Sequence, residues 1–334
     1  MIDATDESAN VMHDLRLSVN GWNTRVIVRE ALTRGIEVER LGPNGGVRLI
    51  RGNRRHWWRD GRNSLNNRLV KQVIGNKDVA SRLLRNRGLP ALENAVFSPG
   101  EEIRAWRWVE PLGAAVVKPR NAKRGAGVHV GLRSRPAFVR AFRSVAEEYG
   151  SVLVEQYQTG REYRFLAVSG QIIGVIHRRP ASVLGDGRST VQELLQAKNQ
   201  DRGPVHKALK LGDAELTVLA GQGLRASSVP DADQRVFLRN TLNLHFGGDA
   251  VEASGEITAE EMQVMERVAQ AVPGAGLLGI DALVPRGSAD GGIGIIELNG
   301  APLVSMHHFP WEGEPVDVAA AVLTAMFPDT GSSA

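Results

Sequence analysis

The stretch Gly279-Ile280-Asp281-Ala282-Leu283-Val284 and, after a Pro/Gly/Ser-rich turn, Ile293-Gly294-Ile295-Ile296-Glu297-Leu298-Asn299 decides the fold. Both halves are apolar runs of strand length, 277–284 and 293–298. Alternate residues of a strand share a face, so Glu297 and Asn299 point the same way. With 285–293 as the turn, Asp281 falls opposite Glu297, and three oxygen-bearing side chains converge from two strands. Charged groups among Leu, Ile and Val are costly to bury unpaired, and a cation removes that cost. The competing reading is a pair of surface-facing acids. Ligands that are all oxygen suit Mg²⁺ rather than zinc.

Around this hairpin, strands and helices alternate. A helix then a strand are predicted over 23–40, a small sheet around Val47, Leu49 and Trp57-Trp58, and a helix over 74–88. Strands follow at 114–118 and 152–156, with a helix opened by Ser134 and Pro136 between them. Residues 163–168 and 172–177 flank Ser169-Gly170, a hairpin signal. Thr190 opens a helix, 236–238 is a strand, Thr258 with Glu261 forms a capping box, and 316–327 closes as a helix. Residues 1–22 read as a loose leader. Hairpin-length connections favour a mixed α/β sheet over a parallel one.

The chain has 334 residues, which sets a prior of about two domains, and no cysteine. That excludes a disulfide scaffold, a thiolate zinc site and a cysteine nucleophile. No apolar run approaches the roughly 18 residues of a membrane span, and the polar, acidic Met1 to Asn10 is not a signal peptide. A cytoplasmic protein is expected. The net charge is +4, and only seven of the 41 basic residues are lysine. Arg48, Arg51, Arg54, Arg55, Arg59, Arg62 and Arg68 stand against the single acid Asp60. Such a patch suits a polyanion or an acidic peptide, or is a solvated face. No nucleic-acid-reading motif accompanies it, so nucleic acid is not expected.

Three further segments carry chemistry. Val116-Val117-Lys118-Pro119 runs into Arg120-Asn121-Ala122-Lys123-Arg124-Gly125-Ala126-Gly127. The glycines would let backbone N–H groups approach an anion, and Lys118 would add a fixed charge; alone, this loop is equally a plain hairpin. In Glu155-Gln156-Tyr157, a strand end offers backbone groups to an adenine edge, and Glu162 a carboxylate to ribose hydroxyls. The plainer reading of Glu162 is an ion pair with Arg161 or Arg164. Arg178 and Arg179, and Arg239 leading into Asn243-Leu244-His245-Phe246-Gly247-Gly248, would hold an anionic substrate. His245, His307 and His308, as lone histidines, read as structural.

In this order, over roughly residues 64–328, the segments resemble the ATP-grasp superfamily. The likeness is to the ligase domain of cyanophycin synthetase and to the C-terminal ATP-grasp module of bifunctional glutathione-synthesising enzymes. Asn76-Lys77, Gly160-Arg161-Glu162-Tyr163-Arg164, Gly185-Asp186-Gly187-Arg188 and Met306-His307-His308-Phe309-Pro310 add to it. The resemblance implies an ATP-grasp fold: a small N-terminal α/β domain (1–73), a central lid (74–157) and a C-terminal part with the metal and substrate site (158–330). It implies that Lys77 and Lys118 hold ATP phosphates under the loop with Arg124, Gly125 and Gly127. Glu155, Gln156 and Tyr157 would face adenine, Glu162 the ribose, and Asp281, Glu297 and Asn299 would ligate Mg²⁺ or Mn²⁺. Arg178 and Arg239 would bind the carboxylate and its acyl phosphate, with Arg164, Asn243, Gly247 and Gly248 around the substrate.

The implied activity is ATP-dependent joining of a carboxylate and an amine, on amino-acid or peptide substrates, through an acyl phosphate. A phosphotransferase and a non-catalytic ATP-binding module are the alternatives. The chain stops near the ATP-grasp terminus and has Gly300-Ala301-Pro302-Leu303 where cyanophycin enzymes usually show Ala-Ala-Pro-Gly. A stand-alone ligase with its own substrate is therefore expected. A homodimer is the commonest assembly for such proteins.

Overall fold

The computed structural model describes residues 7–42, 45–120, 126–239, 247–287 and 291–328. The chain forms two compact units, each assembled from segments distant in sequence. One comprises Met1–Ser64, Ile173–Glu256 and Leu303–Ala334; the other comprises Leu65–Ile172 and Ile257–Pro302. Both mix helices with antiparallel strands, as expected for an α/β protein.

In the first unit, strands Glu37–Arg40, Val47–Arg51, Arg54–Arg59 and Arg62–Asn63 pair in chain order. Val47, Leu49 and Trp58 face inward and are fully buried. The register sets Arg48 opposite Trp57, Ile50 opposite Arg55, and Arg59 opposite Arg62, so Arg48, Arg55, Arg59 and Arg62 line the other face, whereas Arg51 and Arg54, opposite each other, fall at the end of the face of Leu49 and Trp58. Arg48 pairs with Glu39 at 3.3 Å; among the described residues Arg55, Arg59 and Arg62 form no salt bridge.

From Glu7 onward the expected loose leader is instead ordered. Helix Glu7–Asp14 buries Met12, and Ser8 accepts a hydrogen bond from Arg25 at 3.2 Å on helix Trp22–Thr33. Its few apolar residues hid it, because a short helix is held by packing rather than by propensity. The closing helix, Val318–Met326, is tied to the end of Trp22–Thr33 through Arg34, which donates to the Ala320 carbonyl at 3.0 Å. A smaller core packs strands Ser182–Leu184 and Arg235–Phe237 under helix Val191–Gln200, through Val183, Val191, Leu195, Leu219 and Val236. Strand Asp249–Glu252 pairs antiparallel with Ile176 to Arg179.

The second unit holds two layers of sheet. Asn94–Phe97, Val152–Gln156, Ala115–Pro119 and His129–Leu132 form a four-stranded antiparallel sheet in that spatial order. Helices Glu102–Val109 and Arg135–Tyr149 cover it, burying Phe97, Val117, Phe138, Phe142, Val152 and Val154. The second layer sets Leu277–Val284 between Arg161–Val168 and Gly294–Asn299. Tyr163, Phe165, Ile280 and Ala282 make its inner face, each fully buried. The helix predicted over 74–88 is Lys77–Arg85, and a separate helix that was not predicted, Arg68–Ile74, precedes it across Gly75-Asn76. Both lie against strand Gly294–Asn299.

Candidate active site

Antiparallel register puts the charged residues on one sheet face. Asp281 lies opposite Glu297 on one side and opposite Arg164 on the other; Leu283 lies opposite Glu162, and Gly279 opposite Asn299. Glu162, Arg164, Asp281, Glu297 and Asn299 therefore share a face, with the aromatic and aliphatic residues on the other. A bulge follows Asp281 in this pairing, leaving Ile296 unpaired next to Glu297. Bulges of this kind re-aim the neighbouring side chain. Gly279 keeps the face open, since a Cβ there would lie 3.1 Å from Pro302 and 3.4 Å from the Arg164 stem.

Arg164 is buried and grips Asp281 with both arms of its guanidinium, Nη2 donating to Oδ2 at 2.6 Å. Burial works against its charge, but Asp281, and then Glu297, more than offset that and raise its pKa. Lys77 opens helix Lys77–Arg85 with its Nζ 3.5 Å from Glu297 Oε2. The Asn299 side chain accepts from the Ala301 N–H at 2.9 Å, which orients its amide. The donor set is two carboxylates and one amide oxygen. Each carboxylate oxygen carries two lone pairs, so Asp281 can hold Arg164 and still present oxygen to a cation. The residues thus fit a hard divalent cation by chemistry.

In the four-stranded sheet, Lys118 Nζ donates to Glu155 Oε1 at 2.6 Å, both side chains buried. Glu155 Oε2 has no hydrogen-bond partner. Asn94 lies directly opposite Glu155; its Nδ2 donates to Ser81 at 2.8 Å, and its Oδ1 is also buried and unpartnered. Two adjacent buried acceptors without donors cost about 1–3 kcal/mol each unless a ligand supplies the hydrogens. The backbone N–H groups of Gln156 and Tyr157 are already donated to the carbonyls of Glu93 and Ala114, at 2.8 and 3.0 Å. Of the backbone groups expected to meet an adenine edge, these two donors are therefore already engaged. Asp78 holds Arg120 by two hydrogen bonds of 3.1 and 3.2 Å, fixing the entry to the glycine loop. Gly127 has φ +66°, and a Cβ there would come within 2.8 Å of Tyr149. Arg124, Gly125 and Asn243 lie outside the described residues.

The remaining named residues belong to the first unit. Arg178 lies opposite Ala250 and is partly buried. Arg239 is paired with the buried Glu215, whose Oε2 also accepts from the Gly212 N–H at 3.0 Å. Gly247 has φ +84°, and its carbonyl accepts from Arg202 at 3.2 Å; Gly248 is buried. His308 accepts from the Ala319 N–H at 3.1 Å, a structural use. Asn66, Ser81, Asn94 and the Asp78–Arg120 pair were not legible as site residues; only the Asn66-Asn67 doublet carried a turn signal.

This architecture is that of the ATP-grasp proteins. No family model matches the chain. The GshAB glutathione biosynthesis bifunctional protein of Clostridium perfringens is 30% identical over 329 residues, 94% of this chain and 41% of that protein. The cyanophycin synthetase of Synechocystis is 32% identical over 95% of this chain and 38% of its own length. The crystal structure of a bifunctional glutathione synthetase from Pasteurella multocida superimposes with TM-score 0.74 at 28% identity, covering 92% of this chain and 43% of that one. A D-alanine–D-alanine ligase from Bacillus anthracis shares the fold at TM-score 0.50 and 16% identity, over 79% of this chain and 70% of that one. The chain is thus an ATP-grasp homologue of the glutathione- and cyanophycin-synthesising enzymes. It spans about two fifths of the length of the curated relatives it matches.

Proposed function

We propose that the chain is an ATP-dependent carboxylate–amine ligase, releasing ADP and phosphate and acting on amino-acid or peptide substrates in the cytoplasm. The observation that carries this is the single sheet face on which Asp281 and Glu297 stand opposite each other, beside Asn299, Arg164 and Lys77. In this reading 1–73 precedes the ATP-grasp core, 74–157 is the lid, and 158–330 carries the metal and substrate site. Asp281, Glu297 and Asn299 hold Mg²⁺ or Mn²⁺. When bound, the cation neutralises charge on the transferring phosphoryl group. Lys77 and Lys118 attract the ATP phosphates beneath the loop of Arg124, Gly125 and Gly127. The unpartnered oxygens of Glu155 and Asn94 match the two N–H bonds of the adenine 6-amino group, a position where guanine carries a carbonyl that would set a third acceptor against them, with Gln156 and Tyr157 flanking the base. Glu162, on the metal face, accepts from ribose.

A substrate carboxylate attacks the γ-phosphorus and displaces ADP. The amine then attacks the acyl phosphate carbon, phosphate leaves, and the amine proton is lost. The covalent intermediate is on the substrate, which suits a chain without cysteine. Arg178, Arg239, Arg164, Asn243, Gly247 and Gly248 are the substrate-side residues of this reading. Cations at such positions stabilise charge that develops in the transition state.

An ADP-release screen over amino acids and dipeptides, read by mass spectrometry, tests the proposal. The expected result is ADP formation only with a matching acid and amine, and a product lighter than their sum by one water. A stable phosphorylated product would make the chain a phosphotransferase. ATP binding without ADP release for any pair would leave a non-catalytic module.

A further inference from the structure

We infer that Asn66 is a positioning residue for the carboxylate hairpin, standing in for a missing strand partner at its open end. This rests on the reading of Asp281, Glu297 and Asn299 as cation ligands. The two strands pair from Leu283 opposite Gly294 to Gly279 opposite Asn299, and there the pairing stops. Beyond Asn299, Ala301 turns its N–H back onto the Asn299 side chain, and Pro302 has none to offer. Leu277 keeps Val168 on its other flank but has lost the strand on this one.

The Asn66 side chain fills that edge. Its Oδ1 accepts from the Leu277 N–H at 2.9 Å, and its Nδ2 donates to the Leu277 carbonyl at 2.8 Å. A primary amide carries the donor and acceptor of a peptide unit, and this two-bond exchange is that of an antiparallel partner. The same Nδ2 donates to the Gly300 carbonyl at 2.9 Å. One side chain thereby ties the residue two before Gly279 to the residue just after Asn299.

Asn66 is itself fixed. The neighbouring Asn67 N–H donates to the Gly274 carbonyl at 3.2 Å, and the Asn67 side chain caps helix Arg68–Ile74 by accepting from Val70 at 3.1 Å. That helix leads through Gly75-Asn76 to Lys77, which reaches Glu297. A Cβ on Gly300 would lie 2.4 Å from the Ile74 side chain, so the hairpin end and this helix are closely packed. Losing Asn66 removes no ligand; it loosens the spacing of the strand ends that carry them. Mg²⁺ demands near-ideal ligand positions, and groups that orient ligands typically affect metal affinity 10–100-fold. The effect should therefore fall on the cation and spare the nucleotide.

The test uses Mn²⁺, counted by electron paramagnetic resonance in the complex with a non-hydrolysable ATP analogue. Analogue affinity in EDTA is measured in parallel. The variants are N66A and N66D; the aspartate keeps the size and the acceptor but sets a carboxylate oxygen against two carbonyls. We expect both to weaken Mn²⁺ binding about tenfold or more, N66D no better than N66A, with analogue affinity in EDTA within about twofold of wild type. Unchanged Mn²⁺ binding, a wild-type N66D, or a parallel loss of analogue affinity would overturn the inference. If N66A does not fold, N66S replaces it under the same criteria. E297Q is measured alongside. If it too leaves Mn²⁺ binding intact, the ligand reading has failed and takes the inference with it; if only E297Q loses Mn²⁺, the inference alone has failed.

Discussion

At the scale of single residues, the site is built from charges that hold one another in place. Lys118 and Glu155 are a buried pair at 2.6 Å. Breaking such a pair by removing one partner costs about 3–5 kcal/mol, because the remaining charge is left uncompensated, whereas replacing both is far milder. K118M and E155Q should therefore each destabilise the protein strongly, and the double variant should lose much less than the two losses added. Urea unfolding of the four proteins measures this as a double-mutant cycle. Additive losses would mean that the contact carries no coupling. Glu297 differs, being partly exposed and held only loosely by Lys77 at 3.5 Å. E297Q should leave stability within about 0.5 kcal/mol, as surface substitutions do, while ADP release falls at least a hundredfold. Retained turnover would remove Glu297 from the metal site.

At the scale of elements, what was legible followed from local rules. The two-residue period of a strand, applied to Gly279 to Val284 and to Glu297 to Asn299, encoded which residues share a face, and the register agrees. Thr190 and Thr258 announced helix starts, and both form complete capping boxes. Ser169-Gly170 announced a tight turn, and both have positive φ, 50° and 83°. Helix Glu7–Asp14 was not legible, because packing sustains it, nor was helix Arg68–Ile74, which is only seven residues long and too short to be stable without tertiary packing. Side chains that bond to distant backbone, as Asn66 does over 211 residues to Leu277, leave no local pattern. The same holds for the Asn94–Glu155 pairing, which exists only once the strands meet. The caps give a direct test. Thr258 accepts from the Glu261 N–H at 3.2 Å, so T258A should cost about 1 kcal/mol and T258S almost nothing. Equal urea midpoints for wild type and T258A would show that the box contributes no net stability.

At the scale of the whole molecule, stability should depend on pH in a definite direction. His206 and His308 are both buried, and each uses Nε2 to accept a backbone N–H, from Ala250 and Ala319, both at 3.1 Å. A protonated imidazole has no lone pair for that bond. Burial, helped by Arg202 and Lys198, pushes the His206 pKa down to about 4. Burial does the same to His308, also to about 4, with Asp317 opposing and Arg29 adding. In the unfolded chain both return to near 6.5. Between those values the unfolded state binds more protons than the native one, so acid favours unfolding. The stabilisation is complete above about pH 6.5 and is lost as pH falls toward 4. By pH 5 the loss is on the order of 2 kcal/mol for each histidine. Glu312, held below its usual range first by its hydrogen bonds to Arg179, adds a loss at still lower pH, as it is protonated. Urea unfolding at pH 7.5 and pH 5.0 should therefore show a large drop, and H206Q, whose amide oxygen can still accept the Ala250 N–H, should show a smaller one. A drop of equal size in H206Q would show that His206 is not a source of the acid sensitivity, and stability flat from pH 7.5 to 5.0 would exclude both histidines.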